Sequence, residues 1–225
     1  MPRPPDLTGI TITDTPTADL TGDDRKTMFA LFDIAYRQAN HAYLEKSFAN
    51  LRYAAIAMHG DTPAGFSLGD IRVMDLPRLP QQEVIFAGIC CIDPRFRRRG
   101  LFGALERAAI IAAGIVPRGR TLSAGRMAHP VSFRVMNPET RIPRTGIGPS
   151  PWQQAVGQAI ADAYGVPYFD PKTFVCHGTG EPIGYPNIEM DVEPEEWCIF
   201  EHVNRDRGDS LLGLTWAPDV PEGWL

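Results

Sequence analysis

No apolar stretch in the 225 residues is long enough to cross a bilayer: the longest, Ala108 to Val116, falls well short of the ~20 residues a spanning helix needs. The opening Met1-Pro2-Arg3-Pro4-Pro5 lacks the apolar core of a secretory signal, so the expectation is a cytoplasmic protein with no membrane partner. Cysteine is scarce. Cys90 and Cys91 are adjacent while Cys176 and Cys198 stand alone, which gives neither a metal-ligand spacing nor a disulfide framework. Reduced thiols and no bound metal are expected. Internal repeats and low-complexity segments are also absent. With 44% hydrophobic and 22% charged residues, disorder is excluded as a description of the whole, and the length suits one domain spanning 1–225.

The charge that is present is unevenly placed. A net charge of −5 argues against a general nucleic-acid binder. Yet Glu83 to Arg126 carries eight arginines against three carboxylates, and Glu181 to Leu225 carries eleven carboxylates against Arg205 and Arg207. A positive middle with a negative C-terminal part suits a central anionic ligand with a cationic or amine group nearby; solvated surface charge is the plainer explanation.

The 21 glycines and 21 prolines cut the chain into short elements. Alternation predicts a strand over Thr8 to Thr15. Helical spacing predicts Asp23 to Gln38, with Thr21 or Asp23 as cap, and then His41 to Asn50. Arg52 to His59 and Ala64 to Met74 read as a hairpin about Gly60-Asp61-Thr62-Pro63, and Pro77 and Pro80 mark a loop. Val84 to Ile92 is nearly all apolar, as a strand buried on both faces would be. A helix from Arg99 to Gly114 follows, stopping before Pro117; then come a strand over Thr121 to Met127, a short helix over Pro130 to Met136 and an amphipathic helix over Trp152 to Tyr164. Phe174 to His177, Trp197 to Val203 and Leu211 to Trp216 read as late strands. This order implies an α/β or α+β layer fold.

Asp93-Pro94-Arg95-Phe96-Arg97-Arg98-Arg99-Gly100-Leu101-Phe102-Gly103 joins the central strand to the best-defined helix. Unpaired N–H groups at a helix start converge on an anion, glycines allow close approach, and arginines offer forks to phosphate oxygens. No Gly-Lys-Ser/Thr follows and the glycine spacing is not that of a dinucleotide fold, so neither the P-loop nor the Rossmann reading holds. A surface basic turn or a nucleic-acid patch remains the bland alternative.

Arg97-x-x-Gly100-x-Phe102, after a strand ending near Pro94, resembles the Gln/Arg-x-x-Gly-x-Gly/Ala signature of the GCN5-related N-acetyltransferase (GNAT) superfamily, with Phe102 at the usual Gly/Ala and Gly103 one step later. Gly60-Asp61 through Ala64-Gly65-Phe66 and the element order are similar as well, over about Thr8 to Met136. The resemblance implies a GNAT-like fold, a central mixed, mostly antiparallel sheet flanked by helices, with a core over 8–136 and a C-terminal extension over 137–225 that serves as an acceptor lid or a homodimer contact. It implies acetyl-CoA or another acyl-CoA as co-substrate. Arg97, Arg98, Arg99, Gly100, Leu101, Phe102 and Gly103 would hold its pyrophosphate, and the backbone of Cys91 and Ile92 would contact the pantetheine arm between Val84 to Ile92 and Thr121 to Met127. A small-molecule amine is the implied acceptor.

Catalytic side chains are harder to place. Phe86 stands where some members of the family have a glutamate base, and Met136 where many have a tyrosine acid. His129, at the mouth of the expected cleft, is a candidate base or simply the cap of the helix opened by Pro130; Glu83, at the start of the central strand, is a candidate relay or a solvated carboxylate. Cys90 and Cys91 are nucleophile candidates against a reading as small core residues, and Tyr164 and Tyr168 read as packing residues. Acyl-CoA binding without turnover, O-acylation and decarboxylation are the alternatives to N-acylation.

Overall fold

The computed structural model describes residues 6–114 and 119–225. The segment read for a signal, the last two residues of the apolar run, the stop at Pro117 and Arg118 of the basic tally lie outside the described residues. In chain order the elements are β1 (Ile10–Pro16), α1 (Gly22–Ala35), β2 (Tyr36–Arg37), α2 (His41–Asn50), β3 (Tyr53–His59), β4 (Thr62–Leu76) and β5 (Leu79–Ile92). Then follow α3 (Leu101–Ile111), β6 (Thr121–Met127), α4 (Pro130–Phe133), α5 (Pro151–Ala163), β7 (Phe169–Asp170), β8 (Val175–Cys176), β9 (Tyr185–Pro186), α6 (Pro194–Trp197) and β10 (Ser210–Ala217). This is a mixed α/β fold in which every strand pair whose register is resolved is antiparallel.

The chain divides into two compact units, and the division does not fall at residue 137. The first takes the described residues through Ile71, those from Ala87 to Gly114, and Ile183–Asn187; the second takes Arg72–Phe86, residues 119–182 and Ile188–Leu225. β4 and β5 therefore contribute residues to both.

In the first unit the strand order is β1, β3, β4, β5, with β1 and β3 in register from Ile10 opposite His59 to Pro16 opposite Tyr53. α1 starts at a capping box: Asp24 N–H donates to Thr21 Oγ1 at 3.2 Å, and the Asp24 carboxylate accepts from Thr21 N–H at 2.9 Å. Met28, Leu31, Phe32 and Ala35 bury one stripe of it. The helix stops short of Gln38 because Tyr36 and Arg37 leave to pair with Pro186 and Tyr185. α3 buries Leu101, Leu105 and Ala109 against Ala55, Ala57 and Ala64, small side chains that let the helix lie close to the strands.

The second unit has the order β4, β5, β6, β10, β8, β7. β6 and β10 pair from Thr121 opposite Ala217 to Met127 opposite Leu211. Its core includes Trp152, Trp216 and Trp224 in edge-to-face stacks with centroids 5.2 and 5.4 Å apart. Tyr164 donates its hydroxyl to Ala124 O at 2.9 Å, which fits the packing role read from the sequence, whereas Tyr168 is exposed.

Three expected elements are corrected. β5 begins at Leu79, so Pro80 lies inside the strand; Arg78, at φ 65°, makes the turn tight enough that no loop is needed. α3 begins at Leu101 rather than Arg99, because Arg98 and Gly100 are left-handed. Trp197 to Val203 is no strand: Pro194 in the first turn and the reciprocal Glu193–Glu196 cap open α6, which runs into a 3-10 turn at Cys198–Phe200. A segment this short carries too little periodicity to separate the two.

Along β5 the buried positions are even at Gln82, Val84 and Phe86 and odd at Ile89 and Cys91, so the alternation breaks across Ala87 and Gly88. Gly88 is where the backbones approach: a Cβ there would lie 2.6 Å from Leu68 O and would strike the Leu51 side chain. Gly88→Val should therefore lower stability by about 1–3 kcal/mol through overpacking. A urea midpoint equal to that of the unchanged protein would show that the two strands separate here without cost.

Candidate functional site

Between β5 and α3 the chain turns a tight corner, and each residue of it has a local cause. Asp93, buried, donates its N–H to Ala64 O at 3.0 Å and caps a 3-10 turn over Pro94–Phe96 by accepting from Arg95 N–H at 2.9 Å. The Arg95 guanidinium returns to the same carboxylate at 2.7 Å, and these bonds hold its pKa below the ordinary carboxylate value. Phe96 fills the pocket against α3. Arg98 then takes φ 62° and Gly100 φ 81°, and Gly100 is the N-cap of α3 with no side chain to offer. The helix thus presents its first N–H groups with no side-chain cap, at the end where its dipole is positive.

The arginines of the corner do different things. Arg97 donates Nε to Ile92 O at 3.3 Å and Nη1 to Asn187 O at 2.8 Å, tying the end of β5 to the β9 segment. Arg99 donates to Asp6 O at 3.0 Å and Thr8 O at 3.2 Å, while Asp6 N–H donates to Arg99 O at 2.9 Å. Arg98 is exposed, and no hydrogen bond or ion pair of its side chain is resolved among the described residues. Leu101 is buried; Phe102 is 40% exposed at the first turn; a Cβ on Gly103 would meet nothing within 4 Å.

The positions considered for catalysis fall elsewhere. Phe86 is fully buried in the second unit between the Arg72 guanidinium, 4.6 Å from its ring centre, and the Tyr164 ring at 4.9 Å. Met136 is buried against Gly213. Glu83 lies inside β5 rather than at its start, and half-buried, because the strand begins at Leu79. His129 caps α4: its Nδ1 accepts from Val131 N–H at 3.2 Å and its ring stands edge-on to Trp197 at 5.2 Å. In the neutral ring that bond leaves the proton on Nε2, so no lone pair is free for a substrate proton while the cap stands. Burial, then Arg205 and Arg134, lower its pKa below 6.5.

Cys90 and Cys91 are poor nucleophiles. Burial raises both thiols, against a small opposing pull from Ser67 on Cys90 and Arg97 on Cys91. Cys176, also buried, is pushed up to about 11. Among the described residues no group of three or more His, Cys, Asp or Glu is placed to hold a metal ion, and no helix is long and apolar enough to cross a membrane.

Two features escaped the sequence reading. One is the tie from Arg97 to Asn187, whose partners are 90 residues apart and leave no local pattern. The other is Glu106 on α3, which bonds Ser67 on β4 beside Cys90. Its signal was available: it is the one carboxylate between Arg99 and Gly114, next in sequence to the buried Leu105.

No protein-family model matches the sequence, and a comparison with curated protein sequences finds no match. Solved structures similar to the chain include acetyltransferases. The ribosomal-protein-S18-alanine N-acetyltransferase of Escherichia coli aligns over 96% of this chain and 99% of its own at 10% identity and a TM-score of 0.47. An aminoglycoside acetyltransferase from an uncultured soil metagenomic sample, in complex with sisomicin, aligns over 45% and 67% at 15% identity and 0.33. The aminoglycoside N-acetyltransferase AAC(6')-Iy in complex with CoA aligns over 48% and 70% at 24% identity and 0.31.

His129 generates a direct test. Its imidazole should titrate below 6.5 in an NMR series and move up in Arg205→Ala, because the like charge that opposes protonation is removed. A midpoint at or above 6.5 would break the link between the cap geometry and the neutral ring.

Proposed function

We propose that the protein is an acyl-CoA-dependent N-acyltransferase that moves an acetyl or other acyl group to the amine of a small molecule by direct attack on the thioester. The observation that carries this is the corner at Arg98 to Gly103. Its donors are backbone N–H groups with no side-chain cap, Gly103 is open to close approach, and Arg98, exposed and with no side-chain partner resolved among the described residues, stands beside them. That donor set fits a pyrophosphate, whose oxygens only accept. Arg97 and Arg99 support it chiefly by holding the corner's shape, since both guanidinium groups are engaged on backbone carbonyls. When bound, the coenzyme supplies the activated acyl group.

Amine acylation needs an unprotonated acceptor, and an alkylammonium of pKa ~10.4 must lose its proton first. Phe86 and Met136 provide no acid or base, and His129 is occupied as a cap. The thiolate product, with a thiol pKa of ~8.5, leaves with little help. The acceptor's own deprotonation is then the controlling equilibrium. Exposed Glu193, Glu195 and Glu201 favour a cationic acceptor by attracting it. The apolar burial of Phe86 also favours a second reading, an acyl-CoA-binding protein with little or no turnover.

Calorimetry with coenzyme A separates the assignment from a surface basic turn. Binding should weaken about tenfold in Arg98→Ala, on the scale of one charge-assisted contact, and disappear in Gly100→Val, whose φ of 81° a branched side chain resists. An unchanged affinity in both variants, or none in the parent protein, removes the coenzyme from this corner. With acetyl-CoA and a small amine, thiol release should climb with pH toward the acceptor's own pKa. A plateau near neutral pH would reveal an enzyme base, and silence at every pH with CoA bound would select the binding-protein reading.

A further inference from the structure

Among the described residues, α3 is attached to the strands beneath it mostly by apolar contacts, and Glu106 departs from that pattern. Glu106, partly buried on its inner side, meets Ser67, which is fully buried on β4, and the Cys90 thiol on β5 is its neighbour. We propose that Glu106 is a positioning residue: its carboxyl, hydrogen-bonded to Ser67, seats α3 on β4 and β5 and so sets where the helix presents its first N–H groups to an anionic ligand. The inference rests on the coenzyme reading of that end of the helix.

Geometry supports this in three ways. Leu101, Leu105 and Ala109 repeat every four residues along the buried stripe, and Glu106 follows Leu105 on the side that reaches Ser67. Ser67 lies on β4 next to the positions that set the helix's height, Gly65 above all, where an added Cβ would stand 2.8 Å from Cys91 O and 3.1 Å from the Leu105 side chain. Third, the helix is short, so a shift at Glu106 is felt at Gly100, less than two turns away. Among the described residues, the groups resolved as facing Glu106 from the packed elements are Ser67 and Cys90; neither is a cation, and the thiol is itself held neutral by burial. An ionised carboxylate there has no counter-charge resolved among the described residues. Its pKa is accordingly pushed up to about 7 by burial, against the pull of the Ser67 hydroxyl.

The carboxyl of the unfolded chain ionises near 4.5 and that of the folded chain near 7, so stability is greatest below 4.5 and is lost as pH rises toward 7. In the folded protein the seat loosens as pH passes through 7. Glu106→Gln keeps a group that hydrogen-bonds Ser67 and cannot ionise. Affinity for coenzyme A, measured by calorimetry from pH 6 to 9, should fall about tenfold more in the unchanged protein than in Glu106→Gln. The paired comparison cancels the ligand's own phosphate titration, whose second pKa is ~6. Glu106→Ala and Ser67→Ala should both weaken binding at pH 6, where Glu106→Gln does not.

Melting curves from pH 4.5 to 8, without ligand, form the second arm. The midpoint of the unchanged protein should drop with pH relative to Glu106→Gln. If coenzyme A binds at no pH, the acyltransferase reading fails and the melting arm alone decides whether Glu106 seats the helix. If it binds with parallel pH curves in parent and Gln variant, the positioning role fails while the coenzyme reading stands. Should Glu106→Gln not fold, Ser67→Ala takes its place: a pH dependence identical to that of the parent overturns the proposal.

Discussion

The structure turns on a steric constraint at one corner: two residues, Arg98 and Gly100, in the left-handed region between a strand and a helix. A right-handed path through these positions would carry the helix back to Arg99 and move its unpaired first N–H groups with it. The left-handed path stops the helix at Leu101 and leaves the cap position to a residue with no side chain. Arg97 and Arg99 then hold the corner from both sides, one on the β9 segment and one on the residues before β1. A corner held chiefly by side chains that donate to backbone carbonyls depends little on the sequence of those partners, although Arg99 also lies 3.7 Å from the Asp6 carboxylate.

That division of labour explains why three consecutive arginines need not make three ligand contacts. Each guanidinium has five N–H donors in a planar fork, and bridging two carbonyls uses the geometry that lysine lacks. Arg98 differs from its neighbours because the positive φ turns its side chain out of the sequence of ties. Backbone strain of this kind costs on the order of 1–3 kcal/mol and persists only where the surroundings over-determine it, which the flanking ties do.

The acidic C-terminal part shows why a charge tally is a poor map of a field. Asp209 is buried, which pushes its pKa up, but the Arg207 guanidinium and the N–H groups of Gly178 and Asn204 bring it down on balance to about 2, so this carboxylate is a staple for the loop at 204–209. Glu196 is held at about 2 by Arg134, which it bonds through both oxygens. Neither is a free charge. The exposed Glu193, Glu195 and Glu201 remain to act at a distance, and their influence on a cationic molecule weakens with salt as the Debye length shrinks.

By itself the sequence determined most elements and the corner that joins the central strand to the next helix. Hydrophobic period, proline and glycine punctuation and the Thr21 cap are local, and local signals survive without tertiary contacts: α2 runs over His41–Asn50 and β6 over Thr121–Met127, as the periods predict. Only the tertiary structure decided which side chains are free to act. His129 becomes a cap through a bond two residues away, but its neutrality depends on burial first and then on Arg205 and Arg134; Glu83 moves from a strand end to a strand interior because β5 starts earlier than Pro80 suggests. Glu106 acquires its elevated pKa from burial against two other strands, and the Ser67 hydroxyl it meets there only partly offsets the rise. Protonation is set by burial and by neighbours distant in the chain, and neither quantity is written in any local run of residues.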